Sequence, residues 1–269
     1  MTTRMTAQRL GRLIAAGDLD AVVAAVESAP RLLGSTVERE GQGGWTPLHV
    51  AVAECQADIV RFLVRAGADL GARTEHHRTP LHVALEFCPD LVPVLQRLGA
   101  VLDAPSAAYL DAVDTLSAHL DGGMSASDGS SGVDLLSWAA LGGAPATARL
   151  LLERGADADG GALHAAARSG RLDMVRLLLD AGADVDRRDP ETGRAPLHVA
   201  VAAGPDGDTP EIVRVLLSAG ADVNATTADG ATALDISRVA AARHRRNDAG
   251  RATGNDDLAD LLVSNGAKD

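Results

Sequence analysis

Apolar residues recur along this chain with the spacing of short amphipathic helices. After Pro47, the residues Leu48, Ala51 and Val52 stand at i, i+3 and i+4, which places them on one face of a helix. Thr46 can cap that helix through its hydroxyl, and proline suits the first helical position because no N–H is needed there. The pattern therefore predicts a packing helix that begins at Pro47.

A second apolar stripe follows a short break in the pattern. Ile59, Val60, Leu63 and Val64 again share one helix face, and Gly67 can close the helix because glycine readily adopts positive φ. Two short helices joined by a turn cannot bury both apolar faces by themselves. We therefore expect consecutive helix pairs to stack against one another.

The helix-pair pattern recurs along most of the chain. His49 and His82 are 33 residues apart, and His164 and His198 are 34 residues apart. Each of these histidines lies in a Thr-Pro-Leu-His-x-Ala motif or in a variant of it. Glycines close the successive units, most of them followed by alanine: Gly34, Gly67, Gly99, Gly122, Gly155, Gly182, Gly220 and Gly266. A period of about 33 residues indicates a stacked repeat protein.

These two motifs resemble those of the ankyrin repeat. The first stands at 46–51 and 79–84 and, with alanine in place of threonine, at 195–200, and a close match to the second stands at 219–224. The resemblance implies an all-α ankyrin-repeat solenoid of about eight helix-turn-helix repeats, joined by β-hairpin-like fingers, in a single domain over 1–269. The expected repeats are 44–76, 77–103, 132–159, 160–191 and 192–227, a degenerate repeat at 104–131, and capping repeats at 5–43 and 228–269.

The number of residues between successive glycines predicts which fingers are shortened. The step that begins at Gly99 is 23 residues long, and the one that begins at Gly155 is 27 residues long. Both are shorter than the repeat, so we expect the finger at 100–106 to be missing and the finger at 158–162 to be truncated. The segment between them, 122–132, keeps its length but has the Gly/Ser composition of a linker, which predicts a mobile finger.

At two places the distance in sequence between successive glycines is longer than the repeat, which predicts insertions. Residues 204–210 are expected to bulge between the two helices of one repeat. Residues 243–256 are expected to lengthen a helix and then form a surface loop. The basic cluster 243–246 is interpreted as the solvated end of that helix, with an acidic partner or a phosphate as the alternative.

Composition restricts the classes of partner. The net charge of −12 and the pI near 5.0 oppose nucleic-acid binding, which is driven by positive charge, and favour a protein partner. No apolar run at the N-terminus resembles a signal peptide, and none is long enough to cross a membrane, so we expect a soluble, cytoplasmic protein. We also expect it to be a monomer. Lys268 is the only lysine, and this bias towards arginine suggests a GC-rich, bacterial genome.

The two cysteines occupy equivalent positions in adjacent repeats. Cys55 and Cys88 each follow the motif histidine by six residues. Packed helices lie about 8–10 Å apart, whereas a disulfide requires Cα atoms at about 4.4–6.8 Å. We therefore expect both cysteines to stay reduced.

The motif histidines are the first candidates for metal or acid–base chemistry. One histidine per repeat gives a spacing of about 10 Å, too long for shared zinc coordination, and in the ankyrin family this histidine bonds finger backbone. Glu75, His76 and His77 form a local cluster, but neighbours in an extended strand point to opposite faces, which favours recognition over metal binding. No P-loop or nucleophile-elbow motif is present. We predict no catalytic residues, metal or cofactor.

Aromatic residues make up only 2% of the chain, so an exposed aromatic side chain is informative about a partner surface. Trp45 and Phe87 are the best candidates, because the resemblance places both on the concave side. Trp138 aligns with packing positions and is expected in the core. The predicted partner-binding residues are Trp45, Glu54, Arg73, Glu75, His76, Arg78, Glu86 and Phe87. Arg168, Arg188 and Arg194 mark corresponding positions in the second half.

The sequence is best interpreted as a noncatalytic protein-interaction module, an adaptor, inhibitor or regulator that binds through its fingers and first helices. One alternative is an immunity-like or inhibitory protein whose acidic surface covers a basic partner. Another is a small-ligand, metal-binding or enzymatic protein that uses residues 122–132 or the histidine cluster. The fold by itself does not decide between these functions.

Overall fold

The computed structural model describes residues 5–39, 41–204, 207–247 and 256–268. In this part of the chain the regular secondary structure is helical except for one antiparallel hairpin, in which β1 (Val37–Arg39) pairs with β2 (Gln42–Trp45), and one isolated bridge between Thr226 and Thr232. The all-α prediction is confirmed. Within the described residues, no helix combines the length and the apolar character that a bilayer span requires.

Contacts group the chain into two compact units. Unit 1 comprises 1–106 and 130–132, and unit 2 comprises 107–129 and 133–269. The expectation of a single domain stays a prediction. The helices of unit 1 are α1 (Ala7–Ala15), α2 (Leu19–Ser28), α3 (Pro47–Ala53), α4 (Ala57–Arg65), α5 (Pro80–Phe87) and α6 (Val92–Arg97).

Helix α7 (Ala104–Tyr109) contains the boundary between the two units. The remaining helices belong to unit 2. They are α8 (Val113–Asp121), α9 (Leu135–Gly142), α10 (Pro145–Glu153), α11 (Ala162–Arg168), α12 (Leu172–Asp180), α13 (Pro196–Ala203), α14 (Thr209–Ser218), α15 (Ala233–Asn247) and α16 (Asp256–Ser264).

Within each unit, first helices pack on first helices and second helices on second helices. In unit 1, α3 contacts both α1 and α5, while α2 contacts α4. In unit 2, α9, α11, α13 and α15 contact one another in that order, and α8, α10, α12, α14 and α16 form the second row. Consecutive pairs therefore bury each other's apolar faces, as the periodicity predicts.

The sequence motifs explain these helices locally. The Thr46 hydroxyl accepts from the N–H of His49 at 3.4 Å, and Pro47 begins α3. Leu48 and Leu63, from the two apolar stripes, are fully buried. Trp138 is buried in unit 2, which confirms the prediction that it belongs to the core.

Six of the eight glycines that were predicted to close successive repeats have positive φ, but Gly34 and Gly122 do not. Gly34 is the last residue of a short 3-10 helix that begins at Pro30, and the chain continues from Ser35 in an extended conformation. Gly122 is the C-cap of α8, with φ −74°, as Ala66 is of α4, so the residue equivalent to Gly67 is Gly123, which has positive φ.

The curtailed fingers are confirmed. Asp103 is followed directly by α7, and a tight turn at 157–161 leads directly into α11. Residues 122–132 form a series of turns in which Ala126 and Ser131 are buried, and the mobility expected of this segment stays a prediction.

The expected insertions are described only in part. Helix α15 has 15 residues, which confirms the lengthened helix. The surface loop expected after it falls in 248–255, outside the described residues, and so do the side chains of the basic cluster 243–246. Part of the expected bulge, 205–206, also lies outside them, and α14 begins at Thr209.

The prediction that the cysteines stay reduced is wrong. Cys55 and Cys88 form a disulfide with their Cα atoms 5.7 Å apart. The expected spacing of 8–10 Å applies to the axes of packed helices, but neither cysteine lies within a helix. Cys55 stands in the turn after α3 with φ +55°, and Cys88 caps α5. Residues that follow the ends of two neighbouring helices can lie closer together than the helix axes do.

Gly44 lies where the first finger meets the second. It has φ +79°, and an added Cβ would lie 2.8 Å from the backbone nitrogen of Glu75. We expect Gly44→Ala to destabilise unit 1 by about 2 kcal/mol, through the left-handed backbone and the clash together. The measurement is urea unfolding followed by Trp45 fluorescence.

Gly41 provides a matched control for that substitution. Its φ is +78°, but nothing lies within 4 Å of an added Cβ. Gly41→Ala should therefore lose only the conformational part, about 1 kcal/mol. Equal losses for the two variants would contradict a close approach of the fingers at Gly44.

Candidate functional site

The first two fingers of unit 1 are joined by hydrogen bonds. The N–H of Glu75 donates to the carbonyl of Gly43 at 3.2 Å, and the N–H of Gly43 donates to Glu75 Oε2 at 3.2 Å. Glu75 is therefore engaged in holding the fingers together, although it remains exposed. This contact positions the second finger beside the end of β2.

Three motif histidines bond the finger of the following repeat. In His49, Nδ1 faces the N–H of Thr46 at 3.2 Å, and Nε2 donates to the carbonyl of Arg78 at 3.0 Å. His164 and His198 bond the carbonyls of Arg194 and Ala225 in the same way, each at 2.9 Å. The structural role expected for these histidines is confirmed.

Burial disfavours the charged form of His49. It lowers the pKa of this side chain to about 4, and the hydrogen bond to the carbonyl of Arg78 offsets only part of that effect. Burial also lowers the pKa of His198. Both rings therefore act as neutral clamps between a helix start and a finger.

His82 differs because the finger that would follow it is missing. Its Nε2 bonds Asp103 Oδ1 at 2.9 Å, so a carboxylate replaces the usual backbone carbonyl. The hydroxyl of Ser106 donates to the same oxygen at 2.7 Å, and Arg73 lies 3.7 Å from the other. Burial raises the pKa of Asp103, but His82 and Ser106 lower it more, so the net pKa is below its usual value.

Sequence reasoning did not identify Asp103. The available signal was its position three residues before Ser106, where an aspartate can cap a helix start. Its N–H partner in the structure is Ser106, at 3.2 Å. The same carboxylate thus caps α7 and binds His82.

Phe87 is exposed, but Trp45 is not. Phe87 has 48% of its surface accessible, whereas Trp45 has only 5%, so the prediction that both are exposed is wrong for Trp45. The Trp45 ring packs edge-on against His49 and Phe87, with centroids 6.1 and 6.5 Å away, and the Arg39 guanidinium lies 5.3 Å from its centre. Trp45 is therefore a buried residue that packs against the exposed Phe87.

Several of the predicted charged residues are paired. Arg39 Nη1 lies 2.7 Å from Glu54 Oε1, and Arg78 Nη1 lies 3.4 Å from Glu86 Oε2. Arg39 was not singled out from the sequence, because its partner lies fifteen residues away across the finger. We call the surface formed by Phe87 and the pairs Arg39–Glu54 and Arg78–Glu86 the finger–helix surface.

The turn beside this surface corrects one sequence argument. Residues 75–76 form a tight turn, closed by the N–H of His77 donating to the carbonyl of Thr74 at 2.9 Å, rather than an extended strand. His76 is exposed there, and Arg73 donates to the carbonyl of His77 at 3.0 Å. In the described part of the chain, no three His, Cys, Asp or Glu side chains are grouped to hold a metal ion.

The corresponding arginines of unit 2 form no ion pair with the residues that the structure describes. Arg188 donates to the carbonyls of Gly193 and Thr226. Arg168 and Arg194 are exposed. These three arginines therefore differ from Arg39 and Arg78 of unit 1, which each pair with a glutamate.

Comparison with known families identifies the repeat that these helix pairs form. The family model described as ankyrin repeats in three copies matches residues 15–106, 104–189 and 136–227, more than half of the chain.

Curated relatives match over short stretches. Protein fem-1 homolog A of Danio rerio is 36% identical over 95 residues, which are 30% of this chain and 15% of that protein. Ankyrin repeat and SOCS box protein 6 of Mus musculus is 47% identical over 55 residues, 20% of this chain and 13% of that protein. The 2-5A-dependent ribonuclease of Homo sapiens is 48% identical over 46 residues, 17% of this chain and 6% of that protein.

The chain thus spans at most 15% of the length of these relatives. All three are vertebrate proteins, and they do not support the bacterial origin expected from the arginine-rich composition.

Proposed function

This chain belongs to the ankyrin repeat family, and on that premise we propose that its finger–helix surface binds another protein. The family is generally noncatalytic, and the role proposed here is that of an adaptor, inhibitor or regulator acting as a cytoplasmic monomer. The observation that carries the proposal is Phe87, one of two phenylalanines in the chain, whose ring is half exposed and packs against the buried Trp45.

The surroundings of Phe87 suit a binding hot spot. Large aromatic side chains dominate interface energies when they are held in place and surrounded by groups that exclude water. Trp45 packs edge-on against the ring. Arg39 of one ion pair lies over Trp45, and Glu86 of the other pair precedes Phe87 in the chain. A surface ordered before binding loses less conformational entropy when a partner docks.

Substitution of Phe87 tests the proposal. We expect Phe87→Ala to weaken partner binding at least tenfold, since losing an interface hot spot costs about 2 kcal/mol or more. A partner would first be captured from extract by cross-linking to the intact chain and identified by mass spectrometry. Titration calorimetry with that purified partner would then give the two dissociation constants.

Val101 offers a control within the same unit. It is 81% exposed and lies where the finger is missing, outside the finger–helix surface. Val101→Ala should leave the dissociation constant unchanged. Equal affinities of the wild type and Phe87→Ala would remove Phe87, and with it this surface, from the interface.

A second candidate function follows from the net charge of −12. An acidic protein of this kind can act as an inhibitor that covers a basic partner. Binding would then weaken steeply as salt is raised, because exposed charges are screened. An affinity that hardly changes with salt would favour the aromatic contact instead.

A further inference from the structure

The disulfide of unit 1 lies directly beside the proposed docking surface. Cys55 follows Glu54 in the chain, and Cys88 follows Phe87. The bond therefore ties the end of α3, which carries one acidic side chain of the surface, to the end of α5, which carries its exposed aromatic ring.

Cys55 occupies a position that favours glycine. It has φ +55°, and it is the last residue but one before the second helix of its repeat. The equivalent residues of three other helix pairs are Gly17, Gly143 and Gly170, with φ of 69°, 70° and 66°. A side chain disfavours this left-handed backbone, so the thiol stands where the backbone alone would select glycine.

The two cysteine residues differ in exposure to solvent. Cys55 is exposed, whereas only 7% of the surface of Cys88 is accessible. An incoming thiolate can therefore reach Cys55 and displace Cys88 as the leaving thiolate. Exposed disulfides of this kind exchange with small thiols, and buried ones resist them.

We propose that Cys55 and Cys88 form a reversible thiol–disulfide site that controls the order of the finger–helix surface. Glutathione is the co-reactant. Its thiolate attacks Cys55, forms a mixed disulfide there and releases the Cys88 thiolate. A second glutathione thiolate then attacks the mixed disulfide and releases Cys55. The products are two protein thiols and one glutathione disulfide. Two electrons and two protons are transferred to the protein, and oxidation by glutathione disulfide is the reverse reaction.

The oxidised form is the binding-competent form. The closed bond holds the ends of α3 and α5 together and thereby limits the motion of Glu54 relative to Phe87. Reduction releases this restraint, so a partner must order the surface when it docks and binds more weakly. This second step rests on the proposed function, whereas the thiol–disulfide site does not.

Equilibration of the full chain with glutathione buffers tests the site itself. After acid quenching and alkylation, intact mass spectrometry counts the free thiols. We expect one concerted conversion from no alkylated thiols to two as the buffer becomes more reducing. Thiols that remain free in the most oxidising buffer, or a bond that resists reduction without denaturant, would overturn the proposal.

Cys88→Ser and Cys55→Gly provide matched variants. Both lack the bond, but only Cys55→Gly relieves the left-handed backbone, so under reducing conditions we expect its folding equilibrium constant to be roughly fivefold larger than that of the wild type. Hydrogen exchange at 53–57 and 85–91 should be faster in the reduced wild type than in the oxidised one. Equal exchange in the two forms would contradict control of the surface.

Binding to the purified partner separates the two proposals. We expect the oxidised chain to bind at least threefold more tightly than the reduced chain or Cys88→Ser. If Phe87→Ala weakens binding but oxidation does not change it, the redox control is wrong and the docking surface stands. If Phe87→Ala binds as the wild type does, the docking surface is wrong, and the glutathione titration still reports on the thiol–disulfide site.

Discussion

Gly142→Ala is expected to destabilise unit 2 by about 3 kcal/mol, at the upper end of the range for overpacked cores. Gly142 is the last residue of α9, and an added Cβ would lie 2.0 Å from the carbonyl oxygen of Tyr109 and 2.8 Å from its carbonyl carbon. These are backbone atoms, which cannot rotate away as a flexible side chain can. The end of α7 and the end of α9 would have to separate.

Separation at this point would disturb contacts that hold the degenerate repeat. The rings of Tyr109 and Trp138 pack edge-on with centroids 6.2 Å apart. The hydroxyl of Thr147 donates to the carbonyl of Ala108 at 2.8 Å, and its N–H donates to Asp111 at 2.8 Å. These contacts link α7 and the turn after it to α9 and α10.

Urea unfolding followed by Trp138 fluorescence, in a Trp45→Phe background, measures the expected loss at Gly142. Gly11→Ala is the control for the effect of alanine in a helix, because nothing lies within 4 Å of an added Cβ there. Followed by Trp45 fluorescence in a Trp138→Phe background, it should stabilise unit 1 by up to about 1 kcal/mol. A Gly142→Ala midpoint equal to that of its parent would show that the helices can accommodate the methyl group.

Local signals in the sequence predicted most of the fold. The threonine and proline of the motif start α3 and α5 as expected. The spacing of apolar residues identified Leu48 and Leu63 as core, and alignment with packing positions of other repeats identified Trp138. Glycine spacing located both curtailed fingers. These features depend on residues within one repeat, so a sequence pattern is enough to reveal them.

The errors concern contacts between neighbouring repeats. Trp45 is covered partly by Phe87, which stands 42 positions later in the chain. Cys55 and Cys88 meet because the left-handed turn after α3 brings Cys55 close to the end of α5. The spacing between repeats does not predict this short distance. Asp103 could take the place of a finger carbonyl only because the finger is missing.

Acid is expected to weaken unit 1 through His49. Burial lowers the folded-state pKa of this histidine from 6.5 to about 4. Between these two values the unfolded chain binds a proton that the folded protein does not, so stability is present above about pH 6.5 and is lost as the pH falls. The difference corresponds to about 3 kcal/mol, since one pKa unit is worth about 1.4 kcal/mol.

Two other titratable side chains, His198 and Asp103, also affect how stability depends on pH. In unit 2, the lowered pKa of His198 adds a loss of the same sign as the pH falls below the ordinary pKa of histidine. The pKa of Asp103 is also lowered, but for a carboxylate this stabilises the fold above its unfolded pKa of about 3.8. Its contribution is therefore lost at lower pH than that of His49, and the two effects can be separated.

Urea unfolding from about pH 7 to about pH 4, followed by far-UV circular dichroism, tests the role of His49. His49→Gln keeps an amide donor for the carbonyl of Arg78 but has no group that titrates in this range, so its stability should depend less steeply on pH. Leu63→Ala serves as the control, because loss of a fully buried leucine lowers stability by about 2–5 kcal/mol at every pH. It should retain the wild-type slope. A His49→Gln profile as steep as that of the wild type would mean that the ring binds a proton as readily in the folded protein as in the unfolded chain, and the acid-induced loss of stability would then come from other groups.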